Sequence, residues 1–133
     1  MDPQTSNRMR PPHTTLTPQE LAIMKVVWDL EKATVRDVYE TLREQRQIAY
    51  TTVMTMMKIL EVKGYLEKTR VDRAHVYRPS RPRQQVVGAM VREFVERVFD
   101  GAAGGLLLHL AKDGTLSKDE RRRIRRAIQD MEE

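Results

Sequence analysis

Residues 49–68 read AYTTVMTMMKILEVKGYLEK. Val53, Met56, Met57 and Leu60 recur at i, i+3, i+4 and i+7, the spacing of one buried helix face. Gly64 stands where a left-handed residue closes a helix, so the spacing predicts a helix over Tyr50 to Lys63. Its opposite face carries Tyr50, Thr51, Thr52, Met54, Thr55 and Lys58. Beyond Gly64 the period changes. Tyr65 to Val71 and His75 to Arg78 are short runs with β-branched and aromatic residues around Asp72-Arg73-Ala74, which predicts a hairpin.

Upstream, Leu16-Thr17-Pro18-Gln19-Glu20-Leu21 packs several helix-start signals together: a capping Thr17, Pro18 in the first turn, Glu20 completing a capping box, and Leu16 and Leu21 as a staple. Leu21, Ala22, Ile23, Met24, Val27 and Trp28 supply the apolar stripe of a helix running to about Glu31. Thr34, with Asp37 three residues on, opens a second helix with Val35, Val38, Tyr39 and Leu42 on one face. A polar bend, Gln45 to Gln47, joins it to the third. Three short helices followed by a hairpin form a winged helix-turn-helix, whose third helix can enter a DNA major groove.

Downstream, Pro79 and Pro82 interrupt the chain and mark a lobe boundary. Val87, Met90, Val91, Phe94, Val95 and Val98 form a wide stripe on a fourth helix. Gly101, Gly104 and Gly105 break up a short apolar segment, about Ala102 to Lys112. Ser117 with Glu120 opens a last helix bearing Ile124, Ala127, Ile128 and Met131. The expected fold is mainly α with a small β-hairpin: a tail over 1–15, a winged helix-turn-helix lobe over 16–79, and a helical dimerisation lobe over 80–133.

Composition narrows the function. The 133 residues are enough for one domain or two small lobes sharing a core, not a large multi-domain enzyme. The absence of cysteine removes disulfides, thiolate metal sites and cysteine nucleophiles. The longest apolar stretch, Ala102 to Ala111, is about half of the ~18–20 residues a membrane helix needs and carries His109. The polar, proline-bearing residues 1–15 lack the apolar run of a secretion signal, so a soluble cytoplasmic protein is expected. His13, His75 and His109 lie far apart, and neither a phosphate loop nor a nucleophile motif is present. No enzyme activity, cofactor or metal is expected.

Charge points to a polyanion. Met1 to Gln45 carries −1, and Gln84 to Glu133 carries nine charges of each sign. The segment from Arg46 to Arg83 has nine basic and three acidic residues, a local charge of +6. It coincides with the third helix and the hairpin, so charge and topology select the same surface. Thr51, Thr52 and Thr55 can bond bases or phosphates and touch thymine methyls; Gln47 lies just before them. Tyr50, Met54 and Lys58 share that face, and Lys68, Arg70 and Arg73 lie on or near the hairpin. The threonines also fit plain helix-start chemistry, and the wing cations also fit a charge-blunted hairpin edge. Arg121 to Arg126 resembles a nucleic-acid patch, but with Asp119, Glu120 and Asp130 near it and Ile124 facing inward it reads first as a solvated face.

The C-terminal helices carry more apolar stripe than one small lobe can cover, and burial in a two-fold dimer is the natural solution. The expected interface is Val87, Met90, Val91, Phe94, Val95, Val98, Leu106, Leu110, Ile124 and Ile128. Paired reading heads match an inverted-repeat operator in double-stranded DNA. Two other readings use the same fold: a winged-helix adaptor for protein or RNA, and a repressor with a small-molecule pocket near Pro79 to Val91.

LTPQELAIMKVVW at 16–28, AYTTVMTMMKILEVKGYLEK at 49–68, DRAHVYRPS at 72–80, FVERVFDG at 94–101 and LSKDE at 116–120 together resemble the penicillinase-repressor family of bacterial winged-helix regulators. That group includes the beta-lactamase and methicillin-resistance repressors. The resemblance covers about Leu16 to Met131, and the AYTTVMT segment and hairpin read like actinobacterial-type members. It implies a homodimeric repressor of antibiotic-response genes. It also implies release by proteolysis or another signal acting on the C-terminal lobe; in the antibiotic-responsive members a membrane-sensor-linked protease triggers a cut in the fifth helix. The family's asparagine–phenylalanine bond aligns here with His109-Leu110, a departure from the pattern. Ala49 replaces a common capping serine, and the cysteine motif of a copper-responsive branch is absent.

Overall fold

Thr17 sets the start of the first helix in the computed structural model, which describes residues 16–132. The expected tail over 1–15, with His13, lies outside the described residues. The Thr17 hydroxyl accepts from the Glu20 N–H at 3.1 Å, and the Glu20 carboxylate accepts from the Thr17 N–H at 2.9 Å. This capping box opens α1 (Pro18–Leu30). The same reciprocal pair forms between Thr34 and Asp37 at α2 (Val35–Leu42). Helix α3 (Tyr50–Val62) starts at Ala49 with no side-chain cap. Gly64, at φ +88°, turns the chain out of α3 into the hairpin.

Strands β1 (Leu66–Val71) and β2 (Ala74–Pro79) pair antiparallel in a register running from Leu66 opposite Pro79 to Val71 opposite Ala74. The turn has two residues, Asp72 and Arg73, at φ +49° and +70°. Ala74, expected in the loop, is instead paired. Two consecutive left-handed residues give a two-residue turn the twist that matches the strands. Pro79, expected to interrupt the chain, ends β2 opposite Leu66, a terminal position where its missing N–H is tolerated. In the turn, the left-handed backbone of Arg73 is strained for a non-glycine residue, and arginine lacks the short polar side chain that offsets this locally in Asp or Asn. Arg73→Gly is expected to raise the urea midpoint by the equivalent of about 0.5–1 kcal/mol, the relieved strain less the added unfolded-state freedom. An unchanged or lower midpoint would show that the turn is unstrained.

The hairpin is fastened at its base. Ala33, between α1 and α2, exchanges two backbone hydrogen bonds with Tyr77, at 2.9 and 2.8 Å. The Ser80 N–H donates to the Tyr65 carbonyl at 2.9 Å. Beneath lie Ile23, Met24 and Val27 of α1, Val38 and Leu42 of α2, Val53, Met57 and Leu60 of α3, and Tyr65, Leu66 and Tyr77, all buried. Helix α4 (Arg83–Phe99) adds Val86 to this core, with Met90 packed against it. The Trp28 indole N–H donates to the Arg81 carbonyl at 3.0 Å, tying α1 to the approach to α4.

The chain divides into two compact units at Val91/Arg92. The second unit holds the end of α4, then α5 (Ala103–Lys112) and α6 (Lys118–Met131). Ser117 and Glu120 cap α6 reciprocally, and the two Ser117 hydrogen bonds hold the exposed Glu120 carboxyl below its usual range. Among residues 92–132 only Val95 is buried.

Candidate nucleic-acid interface

The outer face of α3 presents Tyr50, Met54 and Lys58 at i, i+4 and i+8, one stripe along the helix. In the hairpin, Lys68 is paired with Tyr77 and Arg70 with His75. Cross-strand partners share a face, and alternate residues along a strand do too, so these four stand on the same side of the wing. Tyr50, Met54, Lys58, Lys68, His75 and Tyr77 line one cleft of about 540 Å³, closed at its end by Thr34, Val35 and Arg36 of the α2 start. No carboxylate lines it, whereas Arg36, Lys58 and Lys68 do. A concave site with Lys58 and Lys68 on two walls and tyrosines between them suits a phosphate-bearing chain.

Charge partners tune that surface. Lys68 lies 3.7 Å from Glu61, which sits on α3 behind it. Burial, with Glu61 nearby, pushes the Tyr77 phenol above its ordinary value, so Tyr77 stays a neutral donor. Lys58, Arg70 and Arg73 are exposed.

The expected contact residues do not all converge. Tyr50, Met54, Lys58 and Lys68 meet in the cleft. Thr51 and Thr55 are exposed on α3 outside it, Thr52 is half-buried, and Gln47 is exposed in the bend before α3. Arg70 extends the inner wing face opposite His75, and Arg73 occupies the turn. Arg36 and His75 were absent from the residues picked out by sequence. Arg36 had a signal: a cation in the first turn of a helix opposes the helix dipole and needs a separate reason to be there.

In the C-terminal half, Val87, Val91, Phe94 and Val98 are exposed along α4 at i, i+4, i+7 and i+11. Met90, Leu106, Leu110 and Ile124 are half-buried, Val95 is buried and Ile128 is exposed. Leu107, Leu108, Ile124 and Ile128 line an open apolar groove of about 310 Å³ between α5 and α6. His109 is exposed near the end of α5, and its carbonyl accepts from the Asp113 N–H at 3.1 Å. No described helix is long and apolar enough to cross a membrane. Among the described residues, no group of three His, Cys, Asp or Glu side chains is placed to hold a metal.

The sequence model of the penicillinase repressor family matches residues 16–130. The chain is 36% identical over 121 residues to the transcriptional regulator BlaI of Mycobacterium tuberculosis, covering 90% of this chain and 86% of that protein. It is 26% identical over 101 residues to the penicillinase repressor of Bacillus licheniformis, covering 76% of this chain and 79% of that one. The solution structure of monomeric Bacillus licheniformis BlaI in complex with the blaP half-operator aligns at a TM-score of 0.48 and 27% identity, over 53% of this chain and 85% of that chain. Carried by a match that spans both the winged-helix unit and the C-terminal helices, the assignment is plain: the chain belongs to the penicillinase repressor family.

Proposed function

We propose that this chain is a DNA-binding transcriptional repressor that works in the cytoplasm as a homodimer on an inverted-repeat operator. The observation that carries the reading is the carboxylate-free cleft between α3 and the wing, set in the segment of local charge +6. Tyr50, Thr51, Thr52, Met54 and Thr55 face base edges, with Gln47 beside them. Lys58, Lys68, Arg70 and Arg73 hold phosphates. The relatives' names, a transcriptional regulator and a penicillinase repressor, agree with this role, which is binding and not catalysis. The dimer forms through the exposed α4 stripe and the α5–α6 groove, because among its described residues the second unit buries a single one of its own.

Fluorescence anisotropy tests it. The purified protein is titrated onto DNA upstream of its own gene and onto a scrambled duplex, at physiological and at higher salt. Tight binding confined to an inverted repeat and weakening steeply with salt supports the reading. Equal weak binding to both duplexes overturns it in favour of a protein or RNA adaptor.

Release occurs through the C-terminal unit, by cleavage at His109-Leu110 by a sensor-linked protease. A protease needs extended chain, so cutting inside a helix requires that helix to open first. Helix α5 suits this: it has no side-chain cap, contains Gly104 and Gly105, and buries no residue. A Cβ at Gly104 meets nothing within 4 Å, whereas one at Gly105 would stand 3.0 Å from the Phe99 ring. Gly104→Ala is therefore expected to stabilise α5 by about 0.5–1 kcal/mol and slow limited proteolysis near His109 several-fold. Gly105→Ala should not slow it, because the ring must shift. Equal protection by both, read by mass spectrometry of the fragments, would disprove the contrast.

A further inference from the structure

Five side chains close into a ring of contacts: three on α2, Arg43 just past its end, and Tyr50, the first residue of α3. The Arg36 guanidinium lies over the Tyr50 ring, 5.4 Å from its centroid, and Nη1 of Arg36 donates to Glu40 Oε2 at 3.3 Å. The other Glu40 oxygen takes Arg43 at 3.5 Å. Arg43 in turn covers the Tyr39 ring at 5.5 Å, and Tyr39 meets Tyr50 edge-on at 5.4 Å with the planes 76° apart. Tyr39 packs against the buried core, which anchors the circuit at that corner. Exposed contacts of these kinds are individually weak. Closed on themselves they restrict one another's rotamers, and what they hold is the Tyr50 side chain. Tyr50 opens the one helix of the winged-helix triad that lacks a side-chain cap, and it lines the cationic cleft with Met54 and Lys58.

We propose that Arg36 is a positioning residue for Tyr50, and that Tyr50 held in this way is a specificity-determining residue reading one base step of the DNA. The inference builds on the DNA-binding reading above. A side chain already fixed in place gives up less freedom on binding, so more of its contact survives as discrimination. The tyrosine ring offers a face to a thymine methyl and its hydroxyl a donor to a base edge. Arg36 is engaged by Glu40 and by the ring, which separates it from a cation free to meet phosphate.

The test is a double-mutant cycle on the full chain, using a duplex that carries the inverted repeat upstream of its own gene and a panel with each half-site step replaced. Arg36→Met is expected to weaken binding about 2–5-fold, the scale of an exposed cation–π contact, at one base step. Tyr50→Ala should lose about 10-fold at the same step. The double variant should bind no more weakly than Tyr50→Ala alone, since the two act as a unit. Arg36→Lys, which keeps the charge without the flat stacking surface, should behave like Arg36→Met, with the salt slope unchanged. Additive losses, or a loss uniform over all sequences with the salt slope reduced by about one, would make Arg36 a phosphate contact and overturn the proposal. A wild-type chain that does not distinguish the inverted repeat from a scrambled duplex would overturn the DNA-binding reading itself, before any variant is made.

Discussion

Lys63→Met is expected to destabilise the fold by about 2–3 kcal/mol at neutral pH, because it strands a buried carboxylate. Glu20 is 3% exposed, and its Oε2 accepts from the Lys63 ammonium at 2.9 Å, joining the start of α1 to the end of α3 across 43 residues. Breaking a fully buried pair costs more than this; the Lys63 side chain is 34% exposed, so part of its attraction is already screened. Burial pushes the Glu20 pKa up, but the Lys63 hydrogen bond and charge and the Thr17 N–H more than offset it, and the net shift is downward. A carboxyl whose folded pKa lies below its unfolded value stabilises the fold above the unfolded pKa, and that stability is lost as pH falls through the folded pKa. The penalty of Lys63→Met should therefore be full near pH 7 and shrink at acid pH as Glu20 takes up a proton. Urea unfolding of both chains at several pH values measures it. A penalty that persists undiminished in acid would mean that Lys63 contributes through its aliphatic stem, and Glu20→Gln in the Lys63→Met background should recover much of the loss if the stranded charge is the cause.

This ion pair also marks what local sequence could reveal. Glu20 was legible as half of a capping box, a matter of residues three apart, and that role is present in the structure. Its burial and its partner were not, because nothing within α1 announces that the end of α3 will lie against it. The same division runs through the fold. The buried stripe of Val53, Met57 and Leu60 and the caps at Thr17, Thr34 and Ser117 follow from spacing and hydrogen-bond chemistry within one element. The Ala33–Tyr77 bridge, the burial of Val26 and the seating of Val86 in the first core depend on partners far along the chain. The turn is one residue shorter than its sequence suggests, because Asp-Arg lacks the glycine that usually marks a two-residue loop. In the candidate site, the basic segment from Arg46 to Arg83 is visible as charge, whereas the Arg36–Tyr50 contact requires α2 to cross the start of α3. That crossing is a packing outcome: a cation in the first turn of α2 signals that Arg36 has a partner, and neither segment alone says which.

Phe94→Glu is expected to convert the proposed dimer to monomer and to lower affinity for an inverted repeat by about 100-fold or more, while leaving half-site binding unchanged. Phe94 is 40% exposed in the middle of the α4 stripe, with Val91 and Val98 about half exposed on either side. It stands beside Phe99, ring centroids 6.1 Å apart, so the two aromatics form one apolar surface in a unit where, among the described residues, only Val95 is buried. Seating a carboxylate in the centre of a two-fold interface places two like charges close together in a desolvated patch, which apolar contacts at the rim cannot offset. Two tethered reading heads make the second half-site contact an intramolecular event at an effective concentration in the millimolar range, and severing the tether removes that gain without touching α3 or the wing. Sedimentation velocity and anisotropy on full and half operators separate the two effects. A chain that stays dimeric would move the interface to the α5–α6 groove, where Leu108→Glu becomes the informative change. A monomer that loses half-site affinity in equal measure would instead mean that the substitution has disturbed the winged-helix unit, and a thermal melt would show it.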